Sequence, residues 1–114
     1  MKDGYFDDAK REFVITNMKP RRLWYNYLWN EEMICVCDQF GAGNSFGTFD
    51  GNKRTIEAGE RNVFIKDKTD GVTYSATRNY NDLPFEKFET RVGLGYQTVT
   101  GKYKGVETRF TTLV

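Results

Sequence analysis

Short apolar runs, several of them divided by a glycine or an Asp-Gly pair, constrain this chain more than any other feature. Phe13-Val14-Ile15-Thr16 is β-branched and aromatic, the composition that suits a pleated surface. Leu23 to Leu28 is nearly all aromatic or aliphatic, and Met33 to Cys37 is a continuous apolar run. The latter is too short for a helix and predicts a strand buried on both faces. Asp50-Gly51 divides SFGTF from KRTIEA, and Asp70-Gly71 divides VFIKDKT from VTYSAT. Asp-Gly between such runs predicts a hairpin, because glycine adopts the positive φ that a tight turn needs. Val106, Thr108, Phe110 and Thr112 alternate with Glu107, Arg109 and Thr111, as on a half-exposed strand. Gly101 and Gly105 bracket the turn that leads into it from LGYQTVT. The single helical candidate is a turn over Leu83 to Phe88, and Pro20 and Pro84 fall in connectors. The fold class that follows is all-β: an antiparallel β-sandwich or partial sandwich.

At 114 residues the chain suits one domain, 1–114, able to bury roughly 65% of its unfolded surface. An aromatic fraction of 16% and a net charge of +1 place it among folded rather than disordered chains. Seventeen basic and sixteen acidic residues are interspersed, which argues against a nucleic-acid surface. No secretory leader is expected, since no N-terminal apolar stretch follows a basic start, and no membrane span, since no segment approaches the ~20 apolar residues required. Cys35 and Cys37 flank Val36 and are poorly placed to bridge; they read as two core thiols of a reducing cytoplasm. With no histidine in the chain, a metal site, a Ser–His–Asp or Cys–His set and the usual neutral-pH proton shuttle are not expected.

Four features invite a functional reading. Gly41-Ala42-Gly43-Asn44-Ser45-Phe46-Gly47 misses the dinucleotide spacing GxGxxG by one place, and TFDG after it suggests a strand and turn rather than a helix. What remains is a strand connection, or a loop whose backbone approaches a ligand closely. Trp24, Tyr25, Tyr27 and Trp29 offer faces for stacking on sugar rings, although aromatics at alternate strand positions more often fill a core; Trp29, at the strand end, is the one placed for exposure. Arg21 and Arg22 read as a solvated edge rather than a single-strand nucleic-acid platform. Asp7 and Asp8 point apart on an extended chain, so they suit a turn rather than the facing carboxylates of a glycosidase.

Four segments in order, GYFDDAKREFVIT, WYNYL, GNSF and FETRVGLGYQTVTG, resemble the start of the cellobiose and chitobiose phosphorylases, glycoside hydrolase family ninety-four (formerly glycosyltransferase family thirty-six). The resemblance covers most of the chain and is weakest between Gly47 and Leu83. It implies the N-terminal β-sandwich of an intracellular bacterial, generally homodimeric enzyme. Such enzymes cleave a β-glucosidic bond with inorganic phosphate as co-substrate and invert the anomeric centre to give an α-sugar 1-phosphate. Their acid and phosphate site sits in a later helical domain, so no catalytic residue and no cofactor is expected in these residues. The chain then reads as the non-catalytic front piece of a phosphorylase-like protein: a fragment, a truncated product or a divergent module. The resemblance also implies a β-linked glucosyl or N-acetylglucosaminyl saccharide as ligand, contacted by the loop Gly43, Asn44, Ser45 and Phe46, with Arg54 as a further match; Trp29 joins these candidates from its place at the strand end. Relatives usually carry an aromatic at the positions of Asn44 and Gly47, histidine at Val92 and glycine at Trp29, so this chain departs from the pattern around its loop. Two other readings stand beside it: a stand-alone carbohydrate-binding module using Tyr25, Tyr27 or Trp29, and a domain that self-associates through open strand edges.

Overall fold

A computed structural model describes residues 2–47, 54–57 and 61–114, without the side chains of Arg54 and Glu57. The described residues form eleven strands and no helix: β1 (Gly4–Asp7), β2 (Glu12–Ile15), β3 (Tyr25–Trp29), β4 (Met33–Asp38), β5 (Ser45–Gly47), β6 (Arg54–Glu57), β7 (Phe64–Lys66), β8 (Thr73–Ser75), β9 (Lys87–Gly93), β10 (Tyr96–Tyr103) and β11 (Val106–Leu113). They build a five-stranded sheet in the order β1-β2-β9-β10-β11, a four-stranded sheet in the order β3-β4-β5-β6, and the β7-β8 hairpin. All pairings are antiparallel. The fold is the all-β partial sandwich expected from the turn punctuation.

Local chemistry accounts for most of the hairpins. β10 and β11 pair from Tyr96–Leu113 to Tyr103–Val106 across a two-residue turn in which Lys104 and Gly105 both have positive φ, 50° and 75°. That geometry is the mirror-image turn whose twist matches a hairpin. Gly101 is not part of the turn but lies within β10, facing Ala76 O and the Phe85 ring. A Cβ there would stand 3.0 Å from both, so the glycine is kept for close approach. Asp67 and Gly71 (φ 76°) close the β7-β8 turn, with the Asp67 N–H donating to Val72 O and the Gly71 N–H to Asp67 O. Asp50-Gly51 lies outside the described residues, while the strands it divides, β5 and β6, pair as anticipated.

Three expectations need correction. Leu83 to Phe88 is not helical: Pro84 holds Leu83 away from helical geometry, Asn79 takes the Leu83 N–H, and Lys87 onward is strand. The strand expected over Leu23 to Leu28 begins only at Tyr25 and runs on to Trp29. β4 is buried on one face, not two; Cys35 and Cys37 are fully enclosed, whereas Ile34 and Val36 are half-buried.

The core lies between the inner faces. Leu28, Cys35 and Cys37 pack with Val114, and Phe40 packs with Phe88, Val99 and Met18. A buried leucine contributes on the order of 2 kcal/mol relative to exposure. Thr90 Oγ1 donates to Gln39 O (2.5 Å), and Gln97 Nε2 donates to Asp38 O (2.5 Å), so the five-stranded sheet grips the loop after β4. The radius of gyration is 15.3 Å, against about 13 Å for a compact chain of 100 residues. The excess marks an elongated body with uncovered sheet faces.

Candidate functional site

The glycine-rich connection is shaped by two residues on either side of it. Asp38 ends β4 and its Oδ1 accepts from the N–H groups of Phe40 (2.8 Å) and Ala42 (3.0 Å). Its Oδ2 takes Arg78 Nη2 at 2.7 Å, and the Arg78 guanidinium lies 4.7 Å over the Phe40 ring. Asp-Gln-Phe-Gly thus folds back on itself, and Gly41 supplies the positive φ of 81°. Beyond it, Gly43 (φ 148°) presses against β4 so closely that a Cβ would fall 2.0 Å from Val36 O. Arg61 fastens the loop from outside: its Nη2 donates to Val36 O (2.6 Å), Nε to Gly41 O (3.3 Å) and Nη1 to Ser45 Oγ (3.0 Å). Among these residues, Asp38, Arg61 and Arg78 were not singled out by sequence. Asp38 carries a legible signal, an aspartate three residues before a glycine; the two arginines reach it from distant segments and carry none.

Cross-strand register places the anticipated contact residues on two opposite faces. Trp29 pairs with Ile34, Ile34 with Phe46, and Phe46 with Thr55, so these four share the outer face of the four-stranded sheet. Trp29 is 72% exposed, and Tyr27 and Tyr25, two and four residues before it on the same face of β3, are exposed as well. The core reading of these aromatics is therefore corrected; on β3 the inward residue is Leu28, 2% exposed. Trp24 precedes the strand and stacks under Arg22, 4.8 Å from its ring centroid. Ser45 faces inward, buried against Cys35 Sγ (3.7 Å) and Arg61. Gly43 meets β4 through its backbone, Asn44 is exposed, and Arg54 sits on β6 opposite Gly47 with its side chain outside the described set. The structure thus brings Trp29 and Phe46 together on one face, about 10 Å apart across two strand spacings, and turns Ser45 away from them.

The outer face of the five-stranded sheet is charged, and its carboxylates are committed to one arginine. Arg91 donates to Glu12 (2.7 Å), Glu89 (2.6 Å) and Asp7 (3.0 Å), and the Tyr96 hydroxyl donates to Glu12. The Tyr96 and Arg91 hydrogen bonds hold the Glu12 carboxyl below the usual range, and Arg91 does the same for Asp7. A carboxylate so held stays ionised and is unsuited to protonate a leaving group. Asp7 also accepts from the Lys10 N–H in the turn that its position suggested. The two thiols lie 3.7 Å apart, both reduced; burial first, then the neighbouring Cys35, pushes Cys37 up to about 12. Among the described residues no three His, Cys, Asp or Glu side chains gather to hold a metal, and no helix is long and apolar enough to cross a membrane.

An antiparallel β-sandwich-type domain with one charged outer face and one aromatic outer face is the class these observations define. Residues 11–114 match the glycosyl hydrolase 94 supersandwich domain, and the chain belongs to that family. A 3-O-beta-D-glucopyranosyl-beta-D-glucuronide phosphorylase from Paenibacillus borealis is 38% identical over 72 residues, covering 63% of this chain and 9% of that protein. An N,N'-diacetylchitobiose phosphorylase from Vibrio proteolyticus is 29% identical over an alignment of 124 positions, covering 100% of this chain and 16% of that protein. A solabiose phosphorylase from Paenibacillus borealis is 25% identical over 113 positions, covering 90% and 15% respectively. The chain therefore spans under a fifth of the length of these relatives.

Proposed function

We propose that these residues are the sugar-positioning supersandwich part of a disaccharide-phosphorylase-type protein and do not themselves carry out the chemistry. The parent reaction is inverting phosphorolysis of a β-glucoside, with inorganic phosphate as co-substrate and an α-sugar 1-phosphate as product. The observation that carries the reading is the Trp29–Ile34–Phe46 strip on the sheet that also holds the glycine-rich loop. On that face the exposed rings of Tyr25, Tyr27 and Trp29, spaced along one strand, suit the C–H faces of adjacent pyranose rings. The carboxylates of the other sheet face are tied to Arg91 and Tyr96, which favours binding over acid catalysis here. The same reading makes the assembly a homodimer, supported by an apolar sheet face and the open edge strands β3 and β11. It makes the compartment cytoplasmic, supported by the two buried free thiols.

The test is a titration of intrinsic tryptophan fluorescence with cellobiose and chitobiose, alongside an assay for sugar 1-phosphate after incubation with phosphate. A saturable shift at millimolar sugar, absent in Trp29→Ala, and no sugar phosphate are the expected results. Release of sugar 1-phosphate by this chain overturns the non-catalytic assignment, and a flat titration overturns the sugar-positioning one.

A further inference from the structure

The β7-β8 and β10-β11 hairpins approach each other at their turns, and an open cavity of about 360 Å³ lies there. Its walls are Ile65 and Tyr74, opposite each other on β7 and β8, and Tyr103 and Val106, opposite each other on β10 and β11. Residues in register share a face, so each hairpin gives the cavity one aromatic and one aliphatic side chain. The Tyr74 and Tyr103 rings meet edge to face at 5.0 Å, and Phe85 packs on both, at 6.2 and 5.7 Å, which holds them in place. Both tyrosines are buried. Neither phenol hydroxyl has a hydrogen-bond partner among the described residues, and neither is sealed from solvent. Burial, and then the nearby Asp67 carboxylate, pushes the Tyr74 phenol above its ordinary value, so it remains a donor at neutral pH.

The rim of the cavity is positive. Lys66, Lys68 and Lys104 line it against one carboxylate, Asp67. Asp70, outside the lining, holds Lys104, and Asp67 stands 3.8 Å from the same ammonium group. Lys66 and Lys68 are exposed and form no ion pair among the described residues. An ammonium ligand would meet like charge here, and a phosphate dianion would crowd Asp67 and Asp70. A neutral apolar molecule would leave the lysines and the phenols unused. We propose that the cavity binds a small aromatic monocarboxylate. Its ring lies against Ile65, Tyr74, Tyr103 and Val106, and its carboxylate accepts from the two phenol hydroxyls and pairs with the Lys66 and Lys68 ammonium groups. The volume and the make-up, apolar walls with a few placed polar groups, are those of a small-molecule site. The β7-β8 half lies between Gly47 and Leu83, where the family resemblance is weakest. The site is separate from the Trp29–Phe46 strip and stands independently of it.

The experiment follows the backbone amide resonances of Thr69, Gly71 and Gly105 in the nitrogen-15-labelled full chain. The probes are phenylacetate, its neutral counterpart phenylacetamide, acetate and benzylamine. Phenylacetate moves all three resonances saturably at millimolar concentration. Phenylacetamide, which lacks the charge, and acetate, which lacks the ring, bind about tenfold more weakly, and benzylamine moves nothing. If no probe moves the resonances, or if any of the other three acts as strongly as phenylacetate, the proposal fails. Tyr74→Phe combined with Tyr103→Phe removes both hydroxyls and keeps both rings; it weakens phenylacetate binding roughly tenfold. Lys66→Gln combined with Lys68→Gln weakens it about threefold and flattens its dependence on salt. The lysines are exposed, so this variant carries the test should the tyrosine variant not fold. Either variant binding phenylacetate as the parent does overturns the assignment. Trp29→Ala retains the phenylacetate response, so failure of this site and failure of the sugar-positioning face are read separately.

Discussion

The two large sheets present opposite outer faces, and the contrast separates surface that is finished from surface that is waiting for contact. On the five-stranded sheet, Asp7, Glu12 and Glu89 converge on Arg91 from three strands, and Tyr96 donates to Glu12 from a fourth. Val14 is fully buried on that same polar face, opposite Arg91 in the register. Carboxylates satisfied in this way gain little by meeting a partner. On the four-stranded sheet the outer face carries Tyr25, Tyr27 and Trp29, all more than half exposed, beside half-buried Ile34, Val36 and Phe46. Aromatic surface of that kind is stable in water only at a cost, and its contiguity on one face marks interaction surface. Shared strand chemistry thus yields a face that stabilises the fold and a face that is available to bind.

Substitutions that act on one face only sharpen this comparison. The largest effect is expected at Gly43, which sets the underside of the aromatic sheet. A Cβ there collides with Val36 O, so Gly43→Ala should destabilise by on the order of 3 kcal/mol, read as a lower urea midpoint. A smaller loss of about 2 kcal/mol is expected for Arg91→Met, which leaves the Glu12 carboxylate without its cation. Equal stability in Arg91→Met would mean that the charged face is as dispensable as the aromatic one. The smallest effect on stability belongs to Trp29→Ala, within about 0.5 kcal/mol because the ring is solvent-exposed. A large loss there would show that the aromatic face is covered in solution.

Acid separates the two faces in the same way. Asp7 and Glu12 have their carboxyls lowered in the folded chain. Their contribution is complete above the unfolded values of about 4 and is lost as pH falls through the lowered folded values. Arg91→Met should therefore flatten the slope of stability against pH below about pH 4, whereas Trp29→Ala leaves that slope unchanged. Urea midpoints at a series of acid pH values check both.

How much of this was legible varies with how local the cause is. The alternation of Val106 to Thr112 and the Asp70-Gly71 turn announce their strands, because pleat and turn geometry depend on neighbours in sequence. The Leu83 to Phe88 reading failed where Pro84 and an Asn79 hydrogen bond override a weak local tendency. β3 offered no alternation to read: Trp24, Tyr25, Tyr27, Leu28 and Trp29 are all apolar, so sequence alone did not say which of them face inward. The pairing of β3 with β4 settles that, by setting Leu28 against Cys35 and Trp29 against Ile34.

By itself, then, the sequence determined an all-β chain of short antiparallel strands, its principal hairpins and its family. Those follow from residue chemistry acting over a few positions and from ordered segments shared along the whole chain. Only the tertiary structure decided that β2 pairs with β9, that Arg91 reaches Asp7 across 84 positions, and that Asn26 and Gln39 are buried with donors to spare. The reason is that register between distant strands, and the burial it imposes, depends on which surfaces meet, and short-range patterns carry no record of that.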